Sequence, residues 1–171
     1  MNQEMSYEVR FADTEEWEDA MALAWKTFLE FEGDVYPPEG VRSFEDFITD
    51  SELKRRFVMG KYQMLVASSH GKVIGMISLR NETHISLLFV DRHYHKRGIG
   101  RALIRALSEY VKDEIGRTAL TVNASPYGVG FYHRMGFRDM GPEMQRDGII
   151  FTPMILDMSR EERRFTDGET I

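Results

Sequence analysis

The first regular signal along the chain is the strict alternation of residues 7–11, Tyr-Glu-Val-Arg-Phe, the two-residue period of a half-buried strand. The period then lengthens. Trp17, Met21, Ala24, Trp25 and Phe28 form one apolar helix face, and Asp13 with Glu16 makes a capping-box pattern ahead of it. Gly33 to Gly40, with Pro37-Pro38 inside, reads as a break. A second helix is predicted over 43–49 and a short turn over 52–57. Two apolar runs, 62–69 and 73–80, flank His70-Gly71 and read as a hairpin. Strand 83–90 leads into a helix over 98–115, where Leu103, Leu107, Tyr110 and Val111 follow i, i+4, i+7, i+8 spacing. Strand 119–122, helix 127–135 and closing strands near 137–140 and 149–157 complete a β-α-α-β-β-β-α-β-α-β-β order.

The junction between strand 83–90 and the next helix carries candidate chemistry. From Arg92 to Arg105 there are five Arg or Lys residues and no acidic one, in a chain of formal net charge −6. Gly98-Ile99-Gly100 lets the backbone come close, and the first N–H groups of a helix lack intrahelical partners and sit at its positive end. A phosphorylated ligand suits such a turn. A P-loop would need Gly-x-x-x-x-Gly-Lys-Ser/Thr, which is absent, and a dinucleotide fingerprint would need glycine where Leu103 stands. His95-Lys96-Arg97-Gly98-Ile99-Gly100 fits a third pattern, Gln/Arg-x-x-Gly-x-Gly/Ala, which cradles the pyrophosphate of coenzyme A. Here His95 replaces the first residue. Behind the next strand comes Phe131-Tyr132-His133-Arg134-Met135-Gly136-Phe137.

These two motifs, spanning 84–137, resemble the two signatures of the GNAT superfamily, the Gcn5-related N-acetyltransferases. The resemblance implies an α/β (α+β) fold of one domain over 1–158, with a charged tail over 159–171. Its mixed sheet of six to seven strands would be flanked by about four helices, with the parallel strands 83–90 and 119–122 splayed apart. It also implies acetyl-CoA, leaving as coenzyme A, as co-substrate. The pantetheine arm would pair with the backbone of Leu88, Phe89 and Val90 and with Asn123. The pyrophosphate would lie at His95, Lys96, Arg97, Gly98, Ile99, Gly100 and Arg101. Tyr132 occupies the family's general-acid position, and its phenol, with an ordinary pKa of about 10, suits donation to a leaving thiolate.

His84 is the candidate base, since an ordinary imidazole pKa of about 6.5 suits proton acceptance, directly or through water. Glu82 is a weaker candidate, and a water chain alone is a third route. From the family layout, Phe31, Glu32, Asp34 and Tyr36 are expected to line the acceptor site.

Composition narrows the chemistry further. A chain of 171 residues with 42% hydrophobic content fits one globular domain. No cysteine is present, so an acyl-cysteine intermediate is excluded and direct attack in a ternary complex is the simplest route. His93 and His95 lack the further ligands a zinc site needs, so no metal is expected. Thirteen Asp or Glu residues between Asp13 and Glu52 face only Lys26 and Arg42. That acidity speaks against nucleic acid and suits a cationic amine, whether a small molecule, a lysine or an amino-terminal amine. No membrane span or signal pattern is evident, so the cytoplasm is the expected compartment. A homodimer is a possible assembly. Two alternatives stay open: an acyl-CoA-binding or sensing domain without turnover, and an enzyme using a longer acyl-CoA.

Overall fold

A computed structural model of the protein describes residues 5–159, so the charged tail lies almost wholly outside the described residues. The chain runs through β1 (Glu8–Phe11), α1 (Trp17–Phe31), α2 (Pro38–Ile48), α3 (Ser51–Val58), β2 (Gln63–Ser69), β3 (Lys72–Arg80) and β4 (His84–Val90). It continues with α4 (Ile99–Tyr110), β5 (Ala119–Ala124), α5 (Val129–Arg134), β6 (Arg138–Asp139), β7 (Met144–Arg146) and β8 (Ile149–Asp157). The strands form one mixed sheet in the order β1-β2-β3-β4-β5-β8-β6, with β7 paired to β8.

The sheet is the middle layer. Met64, Val66, Val73, Met76 and Leu87 turn one of its faces to Trp17, Met21, Leu53 and Phe57 of α1 and α3. Leu65, Ala67, Ile74, Ile77 and Ile85 turn the other to Leu103, Leu107 and Tyr132 of α4 and α5. Strands β2 and β3 are therefore buried on both sides, which explains their nearly continuous apolar runs.

The capping box is present at Asp13 and Glu16, and the Glu16 carboxylate also takes two bonds from the Arg10 guanidinium at 2.7 and 3.0 Å. Other boundaries differ from expectation. Helix α2 begins at Pro38 rather than 43, because proline at the first helical turn forfeits no bond. Residues 52–57 belong to a full helix, α3, capped by the Asp50 carboxylate on the Glu52 N–H at 2.9 Å. The helix over 98–115 is α-helical only to Tyr110. It widens into a π-turn over Val111–Ile115 that ends at Gly116 in the left-handed region. Among the described residues the sheet has eight strands, not six or seven, and five α-helices accompany it; the extra strand β7 is exposed throughout and carries no alternation to read.

Two features place the site. Parallel strands β4 and β5 pair only at His84 with Thr121 and Ile85 with Val122, then part. Beyond this vertex the backbone of Ser86 to Val90 has no strand beside it on the β5 side. The second feature is the turn between β7 and β8, which docks on α2. Ser43 Oγ donates to the Asp147 carbonyl at 2.8 Å and Tyr36 Oη to the Ile150 carbonyl at 2.7 Å. Gly40 and Gly148 touch backbone to backbone, and a Cβ on Gly148 would stand 2.7 Å from the Gly40 Cα.

Gly148 also has φ +79°, a region that costs other L-residues about 1–2 kcal/mol. Gly148→Ala is therefore expected to lower stability by at least about 2 kcal/mol and to loosen this turn from α2. Thermal unfolding with hydrogen exchange at 40–48 checks it; unchanged melting and protection would show that the contact is dispensable.

Candidate active site

The parted strands open a cleft of about 1350 Å³. It runs from the start of α4, past the free edge of β4 to His84 at the vertex, and on beneath α1, α2 and the β7–β8 turn. Every residue expected at the site lines this cleft except Arg97 and Asp34. Arg97 turns away, with Nη1 3.4 Å from Met5 Sδ and its guanidinium over the Tyr94 ring at 5.7 Å. Asp34 is exposed on the loop after α1. Glu82 also lies outside, paired with Arg117 at 3.2 Å.

At the α4 end the Ala102 N–H donates to the Gly98 carbonyl at 2.9 Å, so the N–H groups of Ile99, Gly100 and Arg101 precede the helical ladder. Gly98 has φ +82°, and a Cβ there would meet nothing within 4 Å. The space above it is open for a ligand. Gly100 does a different job: a Cβ there would press on the Phe131 ring at 3.0 Å, so this glycine lets α4 and α5 pack. Lys96 and Arg101 add positive charge along the rim.

His95 does not point its ring outward. Its Nε2 hydrogen-bonds the Val90 carbonyl at 2.7 Å, and the ring stacks on Phe31 at 5.1 Å. Phe31 in turn meets Tyr127 at 4.6 Å. Three rings thus bridge the gap between the end of β4 and the loop after β5.

At the vertex, His84 Nδ1 and Thr121 Oγ1 are 2.8 Å apart across the last parallel pair. Burial first, and then the charge of Arg80, lower its pKa from 6.5 to about 4. His84 is therefore neutral at physiological pH and a weaker base than residue type alone suggests. Tyr132 is buried between Phe131 and Phe137, with ring centroids 5.4 and 5.2 Å away, and burial pushes its phenol well above the ordinary value. Asn123 lies inside β5 opposite Pro153, with its side chain exposed to the cleft.

Several contributors escaped the sequence reading. Ser125 donates nothing legible in sequence beyond a turn, yet its Oγ accepts the Gly128 N–H at 3.1 Å and its hydroxyl bonds Glu32. Arg80 and Phe44 also line the cleft, from the end of β3 and from α2. Among the described residues, no three His, Cys, Asp or Glu side chains gather as a metal site, and no helix is long and apolar enough to cross a membrane.

Comparison with known proteins agrees with this layout. Residues 32–158 match the acetyltransferase (GNAT) domain family. An uncharacterized N-acetyltransferase, YafP of Escherichia coli, is 35% identical over 103 residues, covering 60% of this chain and 62% of its own length. The chain thus spans under two thirds of that relative. A GCN5-related N-acetyltransferase structure from Rhodopseudomonas palustris superposes with TM-score 0.77 at 24% identity, covering 92% of this chain and 99% of that one. The PaiA N-acetyltransferase of Thermoplasma acidophilum, solved with coenzyme A, gives TM-score 0.74 at 21% identity, covering 90% and 99%. The chain belongs to the GNAT acetyltransferase family.

The lowered pKa of His84 has a consequence for stability. Between about pH 4 and 6.5 the unfolded chain binds a proton here that the folded chain does not. Its contribution is complete above pH 6.5 and is lost as pH falls toward 4, by at most about 1.4 kcal/mol per pH unit. Urea unfolding of His84→Gln at several pH values is expected to show a shallower decline across this window. An unaltered slope would mean the imidazole titrates normally.

Proposed function

We propose that the protein transfers acetyl from acetyl-CoA directly to a primary amine within a ternary complex. The observation that carries this reading is the continuous path from the α4 turn, along the unpaired edge of Ser86 to Val90, to Tyr132 on α5. The open space at Gly98, the free N–H groups of Ile99, Gly100 and Arg101, and the charges of Lys96 and Arg101 suit the pyrophosphate. Backbone groups of Leu88, Phe89 and Val90, together with Asn123, suit the amides of the pantetheine arm. His95 releases Val90 when the arm pairs there. Arg97 contributes charge at longer range.

A thioester carbonyl gains charge when an amine attacks, and strand-edge N–H groups at the vertex are placed to stabilise it. Tyr132, kept protonated by burial, donates to the departing sulfur. His84, neutral with Nδ1 held by Thr121, offers Nε2 to a water in the proton path. Phe31, Glu32 and Tyr36 line the acceptor end, with Asp34 at its rim.

Calorimetric titration with coenzyme A and acetyl-CoA, followed by thiol release against an amine panel, tests the reading. Binding with amine-dependent release is expected; binding without release from any amine would favour a sensing domain, and no binding would remove the proposal. Tyr132→Phe should keep coenzyme A affinity and lower kcat by about 10²-fold. Full turnover in that variant would take the acid role from Tyr132.

A further inference from the structure

One buried group in the cleft has an oxygen still without a partner. Glu32 directly follows α1 and is only 4% exposed. Its Oε1 accepts the Tyr127 N–H at 3.2 Å, and the Ser125 hydroxyl also bonds the carboxyl. Its Oε2 is buried and has no hydrogen-bond partner. No Lys or Arg pairs with it among the described residues. A buried carboxyl oxygen with nothing to accept from costs stability, and folded proteins keep such atoms where something else arrives.

Its surroundings indicate what arrives. The Ser125 hydroxyl that bonds Glu32 also takes the Gly128 N–H, and a Cβ on Gly128 would lie 3.4 Å from Tyr132 Cε2. Ser125 and Gly128 thus link the carboxyl to the ring assigned to the leaving sulfur, and both side chains line the same cleft. The other walls are apolar. Phe28, one turn back on α1, meets Tyr36 edge-on at 5.2 Å, and Phe31 faces Tyr127. The remaining charges on the cleft are exposed and carry a positive surplus: Glu39, Asp46 and Asp147 against Arg80, Lys96, Arg101, Arg134 and Arg146. A polycation finds one buried carboxyl here but no net negative mouth; a single ammonium on an apolar stem finds both its partners.

We propose that Glu32 Oε2 receives the ammonium of an alkylamine or arylalkylamine acceptor, whose stem lies among Phe28, Phe31 and Tyr36, and takes its proton. This rests on the acetyltransferase reading above. The ammonium gives one N–H proton to Oε2, and the freed lone pair forms the C–N bond to the thioester carbonyl carbon. The C–S bond breaks with its electron pair on sulfur, which takes the Tyr132 proton. The surplus proton on the amide nitrogen returns to the Tyr132 phenolate, and Glu32 releases its own to solvent. The products are the N-acetyl amine, coenzyme A thiol and one proton. Burial raises the Glu32 pKa above the ordinary 4.5 despite the two bonds that lower it, which strengthens it as an acceptor. His84, held neutral at the vertex, is left to orient water.

Glu32→Gln isolates this role, because its amide oxygen still accepts from Tyr127 while the unpartnered oxygen becomes an NH₂ donor. Thiol release is measured with phenethylamine, hexylamine, spermidine and glycine, alongside coenzyme A titration. In the unaltered protein, phenethylamine or hexylamine should exceed spermidine and glycine at least tenfold in kcat/KM. In Glu32→Gln that value should fall at least a hundredfold, with coenzyme A affinity within twofold. A loss below threefold, an equal loss of coenzyme A affinity, or a preference for spermidine or glycine would each overturn the proposal while leaving the acetyltransferase reading in place. Absence of release from every amine would overturn both. Should Glu32→Gln fail to fold by circular dichroism, inhibition of the unaltered protein decides. N,N-dimethylphenethylamine should compete with the acceptor where its uncharged ether isostere does not, and equal inhibition by the two would overturn the assignment.

Discussion

The parting of β4 from β5 after two residue pairs is the constraint on which the rest of the structure depends. A parallel sheet ordinarily satisfies every interior backbone group by continuous pairing. Here the ladder stops at Ile85 and Val122, so the following backbone of β4 is left with donors and acceptors and no neighbouring strand. The protein does not close that gap with another strand. It closes it with side chains: the His95 ring on the Val90 carbonyl, and the Phe31 and Tyr127 rings beyond it. The vertex itself is tied by His84 to Thr121, which gives that imidazole a structural task as well as a chemical position.

Much around the cleft serves to keep the gap open. Gly100 admits the Phe131 ring and lets α5 sit close to α4, so the two helices support the diverging strands from one side. On the other side α1 ends just over the opening, and the Glu32 carboxyl ties that end to the loop after β5 through the Tyr127 N–H. The Gly40–Gly148 contact then brings the β7–β8 turn down on α2 and roofs the far end. Three separate close approaches, each needing a residue of one particular size, define a single space. Its two ends differ in character: open and basic where α4 begins, ring-walled with a buried carboxyl beneath α1.

Local pattern made most of the architecture legible. The order of elements apart from α3 and β7, the capping box at Asp13, the hairpin at His70-Gly71 and the Gly98-Ile99-Gly100 turn all followed from periodicity, glycine placement and the first helical N–H groups. Boundaries were less legible where a residue works in two contexts. Pro37-Pro38 reads equally as a break or as the start of α2, and only the helix packed behind it distinguishes the two. β7 was illegible because Met144–Arg146 is exposed throughout and held only by its pairing to β8.

The sequence by itself determined the family-bearing motifs, the absence of a cysteine route, and the basic turn in an acidic chain, because these depend on residue identity and near-neighbour spacing. Tertiary structure alone decided the state of each candidate site group. His84 is neutral because burial and Arg80 meet at the vertex, Tyr132 is held protonated by burial, and Arg97 leaves the cleft for Met5 and Tyr94. The partners of Glu32 come from residues 93 and 95 positions further along the chain, so no local window contains them. Desolvation and long-range hydrogen bonding are properties of the assembled neighbourhood, and they exist only once distant segments are packed together.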